Sequence, residues 1–393
     1  MANVSSINGI EKFPSLRFSG YTKPWQMRSL GDMGTFIKGA PLSKADISND
    51  GTPFILYGEL YTTYSEVTHS VKRKTDKTVE QQFYSNVGDV IMPTSGETPE
   101  DIATASCIML PNVILAGDLL IYRTKQIDGR FVSYAIKNKV NKQISSIAQG
   151  KSVVHVRTDE LSKIHITFPT LDEQKKILDF LELLDNRITT QQNLIETLKK
   201  YKRGVSEAIF TRKIRFGNSS TFPEWKTKKV GEICKIQTGK SNTQDETNSG
   251  LYDFYVRSPI VRKSNRYLFD CEAVLTVGDG VGTGKVFHYV TGKFDLHQRV
   301  YAMTNFSEVS GKYFYYYFSQ FFYDRVMKMT AKTSVDSVRY EMIDKMNIIF
   351  PSTEEQQLIE NFLSNIENRL LYAEKTLVKL ENIKKGLLQQ LFI

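Results

Sequence analysis

The feature of this sequence that most constrains its fold is an internal repeat of long period. Residues 129–210 align with residues 311–392 without a gap, at a constant offset of 182. Identical pairs recur along the alignment, among them Phe168-Pro169 with Phe350-Pro351 and Glu173-Gln174 with Glu355-Gln356. The start of each copy is also marked, because Trp25, Gly31 and Gly39 have the same spacing as Trp225, Gly231 and Gly239. Such a period is too long for a solenoid and indicates a duplicated domain.

Each copy ends in a segment with the apolar spacing of a long helix. Alternating steps of four and three residues from Ile177 meet a polar side chain only at Gln191 and Lys202, and the same steps from Ile359 only at Lys384. A repeat of 3.5 residues predicts a helix that needs a partner helix. The predicted pairing residues are Ile177, Leu181, Leu184, Ile188, Ile195 and Leu198 in the first copy, and Ile359, Leu363, Ile366, Leu370, Leu377 and Leu380 in the second. An ordinary core helix is the alternative, but two matched copies in one chain favour antiparallel pairing with each other.

Both helices have the same start signal. Thr170-x-x-Glu173 and Ser352-x-x-Glu355 directly follow the two Phe-Pro pairs, and this pattern predicts capping boxes. About forty residues in a helix give a rod of roughly 60 Å. Lys202 and Lys384 interrupt the two apolar stripes at the same step, which predicts either a polar layer or an exposed edge.

The charge of the chain is unevenly distributed. Its 52 basic and 43 acidic residues give a net charge of +9. The two predicted helices sum to −1, whereas residues 1–170 carry +3 and residues 211–352 carry +7. A basic surplus confined to the globular parts favours a polyanionic partner. A basic protein without such a partner is the alternative.

The cysteines and the apolar segments indicate a cytosolic protein. Cys107, Cys234 and Cys271 have no pair spacing, and residues 1–11 lack the charged and apolar regions of a signal peptide, so we expect reduced thiols in the cytoplasm. The most apolar stretch, residues 108–122, is interrupted by Pro111, Gly117 and Asp118. It is therefore not expected to cross a membrane.

The globular parts show mixed signals and predict an α/β or α+β fold. Three short runs are rich in β-forming residues, namely residues 90–92, 119–122 and 348–350. The aromatic run from Tyr313 to Tyr323 has two interpretations, a helix that packs in the core or a platform on which bases stack. Residues 217–221 read as a short linker. The predicted domains are residues 13–169 and 213–351, and the predicted helices are residues 170–212 and 352–393.

The sequence lacks the motifs of several enzyme classes. The glycine-rich segment 278–285 fails the Walker pattern at Asp279 and Val286, and it fails a dinucleotide fingerprint at Thr283. It remains either a loop that approaches phosphate with the help of Lys285 or a plain hairpin turn. The five histidines have no metal-ligand spacing, and we expect neither a metal nor a catalytic residue. The Pro-Asp frame of many nucleases and the Asn-Pro-Pro loop of adenine methyltransferases do not occur.

The duplicated plan resembles the specificity subunit of Type I restriction-modification systems. Two variable globular domains are each opened by an Arg-Phe…Trp…Gly segment and each followed by a Phe-Pro-x3-Glu-Gln heptad helix. The resemblance implies two target recognition domains in a pseudo-twofold arrangement, separated by two antiparallel coiled-coil helices. Each domain then reads one half of a bipartite double-stranded DNA target, while the helices set the gap and dock two methyltransferase subunits. Those subunits would carry S-adenosylmethionine, and motor-nuclease subunits would join for restriction.

The candidate DNA-binding residues are chosen by their chemistry. Arginine and glutamine can make bidentate contacts with guanine and adenine, and lysine, serine and threonine suit phosphates. In the first domain the candidates are Lys72, Arg73, Lys74, Arg123, Lys125, Arg130, Lys151 and Ser152. In the second domain they are Arg257, Arg262, Lys263, Arg266, Lys285, Gln298, Arg299, Lys332, Thr333 and Ser334.

Two other classes of function remain open at the level of sequence. One is a self-contained nuclease or DNA methyltransferase, which the missing motifs disfavour. The other is a scaffold in which the coiled coil recruits protein partners and the basic surface is incidental. Assays of the chain alone for nuclease and methyl transfer, followed by DNA binding with methyltransferase subunits present, separate these classes from a specificity subunit.

Overall fold

The computed structural model describes residues 13–150, 153–216, 223–280, 282–329 and 337–393. It combines short strands with helices, which confirms the mixed α/β class. The chain divides into two compact units: unit 1 comprises Met1–Thr190 and Leu377–Ile393, and unit 2 comprises Gln191–Thr376. Each unit therefore contains one globular part and a segment from each of two long helices.

Unit 1 is built from two main sheets and several short helices. Its strands are β1 (Gln26–Ser29), β2 (Gly34–Lys38), β3 (Thr52–Leu56), β4 (Val67–Thr68), β5 (Arg73–Thr75), β6 (Asp89–Pro93), β7 (Ser95–Gly96), β8 (Ser106–Ile108), β9 (Ile114–Ala116), β10 (Leu119–Thr124), β11 (Val154–His155) and β12 (His165–Phe168). Its helices are α1 (Leu30–Met33), α2 (Pro99–Ile102), α3 (Gly129–Ala135), α4 (Asn141–Ile147), α5 (Thr158–Ser162) and the first half of α6 (Leu171–Phe210). The sheets have strand orders β2-β10-β6-β8-β4 and β5-β3-β9, and β1-β12 and β7-β11 form separate pairs.

Unit 2 repeats this plan with fewer helices. Its strands are β13 (Lys226–Lys229), β14 (Lys235–Thr238), β15 (Tyr252–Tyr255), β16 (Arg262–Ser264), β17 (Phe269–Asp270), β18 (Ala273–Val277), β19 (Phe287–Val290), β20 (Lys293–Leu296), β21 (Val300–Thr304) and β22 (Asn347–Phe350). Its helices are α7 (Val230–Ile233), α8 (Gly311–Met329), α9 (Tyr340–Asp344) and the first part of α10 (Thr353–Leu391). The sheets have strand orders β14-β21-β18-β19 and β16-β15-β20-β17, and β13 pairs with β22.

The sequence repeat coincides with a repeat in structure. In both units the first strand pairs antiparallel with the last, and Gln26 faces Phe168 as Lys226 faces Phe350. The single helix α8 covers residues 311–329, and α3, a π-helical turn at Ile136–Val140 and α4 cover the equivalent residues 129–147. The three predicted β-rich runs lie in β6, β10 and β22, which confirms them as strands.

The aromatic run of the second copy belongs to the core. Tyr313, Phe314, Phe318 and Phe322 of α8 are buried, and Phe318 and Phe322 stack with their ring centroids 4.3 Å apart. These rings are covered by the protein and offer no face to a base. The core interpretation is therefore confirmed for them, and the stacking-platform interpretation is wrong.

The two long helices lie where the heptad spacing predicts them. The helix bounds confirm the predicted starts, since α6 begins directly after Thr170 and α10 directly after Ser352. All the seam positions on both helices are buried or half-buried. In unit 1, Leu181 near the start of α6 shares a core with Leu388 near the end of α10. In unit 2, Ile209 near the end of α6 shares a core with Ile359 near the start of α10. The two helices are therefore antiparallel.

The polar residues of the seam are paired. Gln191 Nε2 donates to the carbonyl oxygen of Ala373, its own equivalent in the repeat, at 2.9 Å. Lys384 Nζ lies 2.7 Å from Asp185 and 3.1 Å from Glu66 in unit 1. Lys202 Nζ lies 2.6 Å from Glu367 in unit 2. The two lysines thus form polar layers within the seam, one in each unit.

A buried glutamate links each long helix to the strand at the start of its unit. Arg17 donates to both carboxylate oxygens of Glu173 at 2.7 Å, and Trp25 Nε1 donates to Oε1 at 3.3 Å. In unit 2, Arg215 donates to Glu355 at 3.1 and 2.7 Å, and Trp225 Nε1 donates at 3.2 Å. We call each arginine, tryptophan and glutamate set a clasp.

The predicted role of Glu173 and Glu355 in capping boxes is wrong, because both carboxylates belong to the clasps. The carboxylates of Glu173 and Glu355 bind the globular part of their unit instead of closing the helix end. The Ser352 hydroxyl, the expected capping group, is buried without a hydrogen-bond partner. The start of each helix was predicted correctly, but the role of the glutamate in its first turn was not, because the partners of that glutamate lie 130–156 residues away in sequence.

Within the described ranges, no helix combines the length and apolarity that crossing a membrane requires. The three cysteines are free, and Cys107 and Cys234 are buried.

Candidate nucleic-acid interface

A group of exposed cations and polar side chains in unit 2 lies where three chain segments meet. Arg257 follows β15, Asp279 follows β18, and Gln298 and Arg299 precede β21. Arg257 Nη1 lies 3.4 Å from Asp279 Oδ1, and Arg299 Nε lies 3.7 Å from Asp279 Oδ2. We call Arg257, Asp279, Gln298 and Arg299 the unit 2 corner.

The buried side chain of His297 holds the backbone of this corner in place. It is buried, and its Nδ1 accepts a hydrogen bond from the backbone N–H of Arg299 at 3.0 Å. Burial first, and then the positive charges of Arg257 and Arg299, lower the pKa of His297 against the opposing effect of Asp279. The imidazole is therefore neutral at physiological pH and acts as a fixed acceptor for the turn that carries Arg299.

A second polar group adjoins the corner and is anchored on a buried carboxylate. Asp295 is fully buried, and its Oδ1 accepts from the Ser241 hydroxyl at 2.6 Å and from the Leu296 N–H at 2.9 Å. Arg266 donates to Ser241 at 3.0 Å and to Asp245 at 2.8 Å, and its Nε lies 3.6 Å from Asp295 Oδ2. These contacts hold an exposed guanidinium in one orientation.

The glycine-rich segment 278–285, whose residue 281 lies outside the described residues, connects two antiparallel strands beside the corner. It joins the antiparallel strands β18 and β19, and Gly280 and Gly284 have φ values of +85° and +65°, which favour glycine. Lys285 Nζ lies 4.9 Å from the centroid of the Tyr323 ring. The hairpin interpretation is therefore confirmed, and the hairpin brings Asp279 to Arg257 and Arg299.

The equivalent place in unit 1 is concave and less basic. A cavity of about 620 Å³ lies on one side of Gly117 and Asp118, and its lining includes Lys38, His155 and Arg157. A second cavity of about 710 Å³ shares Gly117 and Asp118, and its lining includes Tyr57, Glu59 and Arg73. We call Tyr57, Ser95, Gly117 and Asp118 the unit 1 corner.

Two predicted contacts of unit 1 are engaged inside the fold. Arg123 bonds to Asp89 at 3.2 Å and to the carbonyl oxygens of Gln82 and Tyr84 at 3.0 and 2.8 Å. Arg130 bonds to Asp128 and to Glu182, both at 2.8 Å. Because these guanidinium groups already hold loops and helices together, they are poor candidates for DNA contact.

The remaining predicted residues of unit 1 are more accessible. Lys72, Lys74 and Lys125 are exposed. Arg73 is half-exposed and lies 3.1 Å from the buried Glu59. Lys151 and Ser152 lie outside the described residues.

The predicted residues of unit 2 that the structure describes are all exposed, and those of the corner lie together. Arg262 pairs with Glu246 at 3.2 Å, and Lys263 pairs with Asp253 at 2.8 Å. Lys332, Thr333 and Ser334 lie outside the described residues. Asp279, Ser241 and Asp295 were missed, because a preference for cations disregards the acids that orient them.

Metal chemistry has no support among the described side chains. No three histidine, cysteine, aspartate or glutamate residues in those ranges are grouped so that they could hold a metal ion. The acids of the unit 2 corner are instead placed to orient arginines.

Comparison with known proteins identifies the class of this chain. Residues 22–200 and 223–382 match the family described as the Type I restriction modification DNA specificity domain. The chain belongs to this family. The two matched segments correspond to the two copies of the internal repeat.

Individual relatives agree with this assignment. The chain is 24% identical to the Type I restriction enzyme MjaVIII specificity subunit of Methanocaldococcus jannaschii, over 97% of this chain and 95% of the relative. It is 29% identical to the EcoDI specificity subunit of Escherichia coli, over 41% of this chain and 34% of that one. A crystal structure of the S subunit of a Type I restriction-modification system from M. genitalium shares the fold, with a TM-score of 0.67 and 16% identity over 97% of this chain and 99% of that chain.

Proposed function

We propose that this chain selects the DNA sequence on which a Type I restriction-modification complex acts. Each unit reads one half of a bipartite target in double-stranded DNA. The observation that carries the proposal is the combination of family membership over both copies of the repeat with an exposed arginine and glutamine corner in unit 2. Arginine and glutamine are the side chains best suited to read base edges in the major groove.

The chemistry of modification and cleavage belongs, in this proposal, to other subunits. Two methyltransferase subunits bind S-adenosylmethionine and methylate adenine, and motor-nuclease subunits join them for restriction in the cytoplasm. The names of the relatives, which are specificity subunits, support a role without catalysis.

The first prediction is that the chain confers site-specific methylation without performing it. The purified chain with DNA and S-adenosylmethionine should transfer no methyl group, whereas addition of its methyltransferase subunits should give adenine methylation at one bipartite sequence. Single-molecule sequencing of methylated plasmid DNA identifies that sequence. Methyl transfer by the chain alone, or methylation without sequence preference in the complex, would contradict the proposal.

The outer faces of the long helices support a docking role. Several large apolar side chains on α6 and α10 point into solvent, including Leu183 and Leu194 on α6 and Tyr372 and Val378 on α10. Their exposed fractions reach 70% at Leu183 and 75% at Tyr372. Exposed apolar side chains of this size are suited to burial against a partner protein, and we assign their contacts to the methyltransferase subunits.

The helices also set the distance between the two half-sites in this proposal. Insertion of one heptad beside Gln191 in α6 and of another beside Ala373 in α10 preserves both apolar seams and adds about 10 Å of helix. The recognised gap should therefore lengthen by about three base pairs, with both half-site sequences unchanged. Methylation of a target panel with graded gaps measures this. Insertion of two residues in each helix is the control, since it rotates the seam, and an unchanged gap after the heptad insertion would show that the helices do not act as a ruler.

A further inference from the structure

The two corners are built on the same backbone arrangement. In unit 1 the Thr94 N–H donates to the Asp118 carbonyl oxygen at 2.8 Å, and in unit 2 the Gly278 N–H donates to the Arg299 carbonyl oxygen at 2.8 Å. Asp118 of unit 1 therefore occupies the position of Arg299 in unit 2. This equivalence lies outside the gapless sequence repeat and is visible only in the structure.

Further hydrogen bonds extend the match. Three more hydrogen bonds from a backbone N–H to a carbonyl oxygen have an equivalent in the other unit. Gly117 donates to Ala40 as Gln298 donates to Ser241, both at 2.9 Å, and Gly39 donates to Leu119 as Gly239 donates to Val300, at 2.8 and 3.3 Å. Val156 donates to Thr94 as Val338 donates to Gly278, at 3.2 and 2.7 Å. The bridge between Ser95 and His155 matches the bridge between Asp279 and Ser337. Ser95 is thus the equivalent of Asp279.

The side chains on this shared backbone differ in charge. Ile55 pairs with Leu115 as Tyr255 pairs with Leu296, so that Tyr57 is the equivalent of Arg257 two residues further on. Arg257, Asp279 and Arg299 of unit 2 thus stand where unit 1 has Tyr57, Ser95 and Asp118. An exposed cation at position 299 is therefore replaced by an exposed anion at position 118. One scaffold thus presents hydrogen-bond donors in unit 2 and an acceptor in unit 1.

In unit 2 the two arginines are oriented but available. The exposed fractions of their side chains are 50% for Arg257 and 64% for Arg299. Asp279 is nearest to Arg299 at Nε, and the distance of 3.7 Å from its Oδ2 is too long for a hydrogen bond. Arg257 Nη1 donates a long hydrogen bond to Asp279 Oδ1 at 3.4 Å. The carboxylate therefore orients both arginines through long contacts that leave at least half of each side chain exposed. A guanidinium fork of this kind matches the O6 and N7 acceptors of guanine.

In unit 1 the exposed carboxylate has one oxygen engaged. Asp118 Oδ2 accepts from the Ser95 hydroxyl at 2.9 Å, and Ser95 is fixed in turn because Tyr61 donates to its carbonyl oxygen at 2.7 Å. Asp118 lies on the ridge between the two cavities described above. An oriented carboxylate in the major groove accepts from the N4 amino group of cytosine and repels the acceptors of guanine.

We infer that the Asp118 and Arg299 positions are equivalent specificity-determining positions, at which unit 1 reads cytosine and unit 2 reads guanine. The inference rests on the proposed function and adds to it the residues and the bases. Arg257 supplies a second fork beside Arg299, and Asp279 is a positioning residue that orients both.

The test uses the full chain in complex with its methyltransferase subunits. The target is first identified by methylome sequencing, and the variants are then assayed on a panel in which each base pair of both half-sites is changed in turn. Arg299→Lys is the most informative variant, because it keeps the positive charge and removes the planar pair of guanidinium donors. Lys345→Ala is the matched control, since Lys345 is an exposed cation of the same unit that pairs with Glu341 at 3.3 Å.

The expected result is a loss of discrimination at one position in each half-site. Arg299→Lys should relax the preference for one guanine of the second half-site by about 5- to 150-fold and leave the first half-site unchanged. Asp118→Asn should relax one cytosine of the first half-site alone. Asp279→Asn should weaken the same guanine preference as Arg299→Lys, whereas Lys345→Ala should leave the whole panel unchanged.

Other outcomes separate failure of the inference from failure of the proposed function. A wild-type complex without bipartite selectivity would contradict the proposed function itself. A selective wild-type complex whose Arg299→Lys and Asp118→Asn variants keep the full profile, lose activity uniformly on all targets, or relax the opposite half-site would overturn the inference alone.

Discussion

Replacement of Glu355 by alanine should destabilise unit 2 by about 3–5 kcal/mol, because it leaves a guanidinium with little exposure and no counter-charge. Glu355 is fully buried and accepts from Arg215 and from the indole of Trp225. Glutamine in its place keeps an acceptor oxygen and loses the charge, so Glu355→Gln should cost less than alanine. The clasp therefore ties the start of α10 to the strand that opens the unit.

The chain provides its own reporters for this measurement. Trp25 and Trp225 are the only tryptophans of the sequence, and each belongs to one clasp. Denaturant unfolding in a Trp25→Phe background thus reports unit 2 through Trp225, and the reciprocal background reports unit 1. Glu173→Ala should then lower the stability of unit 1 as Glu355→Ala lowers that of unit 2.

The control for the clasp is the neighbouring glutamate. Glu354 is exposed in the same first turn of α10, and its replacement by alanine removes only a favourable interaction with the helix dipole, worth less than about 1 kcal/mol. Equal unfolding curves for Glu354→Ala and Glu355→Ala would show that the clasp does not stabilise unit 2.

Periodicity alone predicted the long helices well. The heptad spacing identified α6 and α10, because an apolar stripe of ten positions depends only on local sequence. The same spacing marked Lys202 and Lys384 as exceptions without deciding what they do. Their acidic partners are outside any local pattern, since Glu66 is 318 residues from Lys384 in sequence.

The residues of the proposed unit 2 corner could be predicted only in part. A preference for exposed basic residues included Arg299 and Arg257, but it equally included Arg123 and Arg130, whose partners Asp89 and Glu182 come from distant segments. Asp279 was disregarded because it breaks nucleotide-binding patterns, although its role depends on the approach of the turns after β15 and before β21. The proximity of these turns is a property of the tertiary fold, and residue spacing along the chain does not predict it.

The polar layers of the two units differ in the number of acidic partners of the lysine and in its exposure. Lys384 has two acidic partners in unit 1, Asp185 and Glu66, and only 17% of its side chain is exposed. Its equivalent Lys202 has Glu367 within the seam of unit 2 and is 29% exposed. Tyr134 donates to Asp185 as Tyr316 donates to Glu367 at 2.7 Å, so the tyrosine contact is common to both layers and the second acid is not.

The charges of Glu66 and Lys384 determine the pH range in which the polar layer of unit 1 stabilises the fold. Burial alone would raise the pKa of Glu66, but the charges of Lys137 and Lys384 outweigh it and lower that pKa. Its contribution is therefore present above the ordinary glutamate pKa and lost as the pH falls through the lowered value. Burial would lower the pKa of Lys384, but Glu66 and Asp185 raise it, so its contribution is lost only as the pH rises through that raised value. Neutral pH lies between the two limits.

Replacement of Lys384 by methionine should therefore destabilise unit 1 by about 1–3 kcal/mol at neutral pH, because Asp185 loses its counter-charge and Glu66 keeps only Lys137. Lys202→Met should cost less, since one half-exposed acid is left in contact with water, and Lys385→Met on the exposed face of the same turn should change stability by less than about 0.5 kcal/mol. Adding Asp185→Asn to Lys384→Met should recover most of the loss, because Glu66 still has Lys137 at 3.3 Å as its counter-charge and the neutral side chain at position 185 needs none. Denaturant unfolding followed through Trp25 measures each step. Equal losses for Lys384→Met and Lys385→Met, or no recovery in the variant that combines Lys384→Met with Asp185→Asn, would show that the charges of this layer do not hold the helices together.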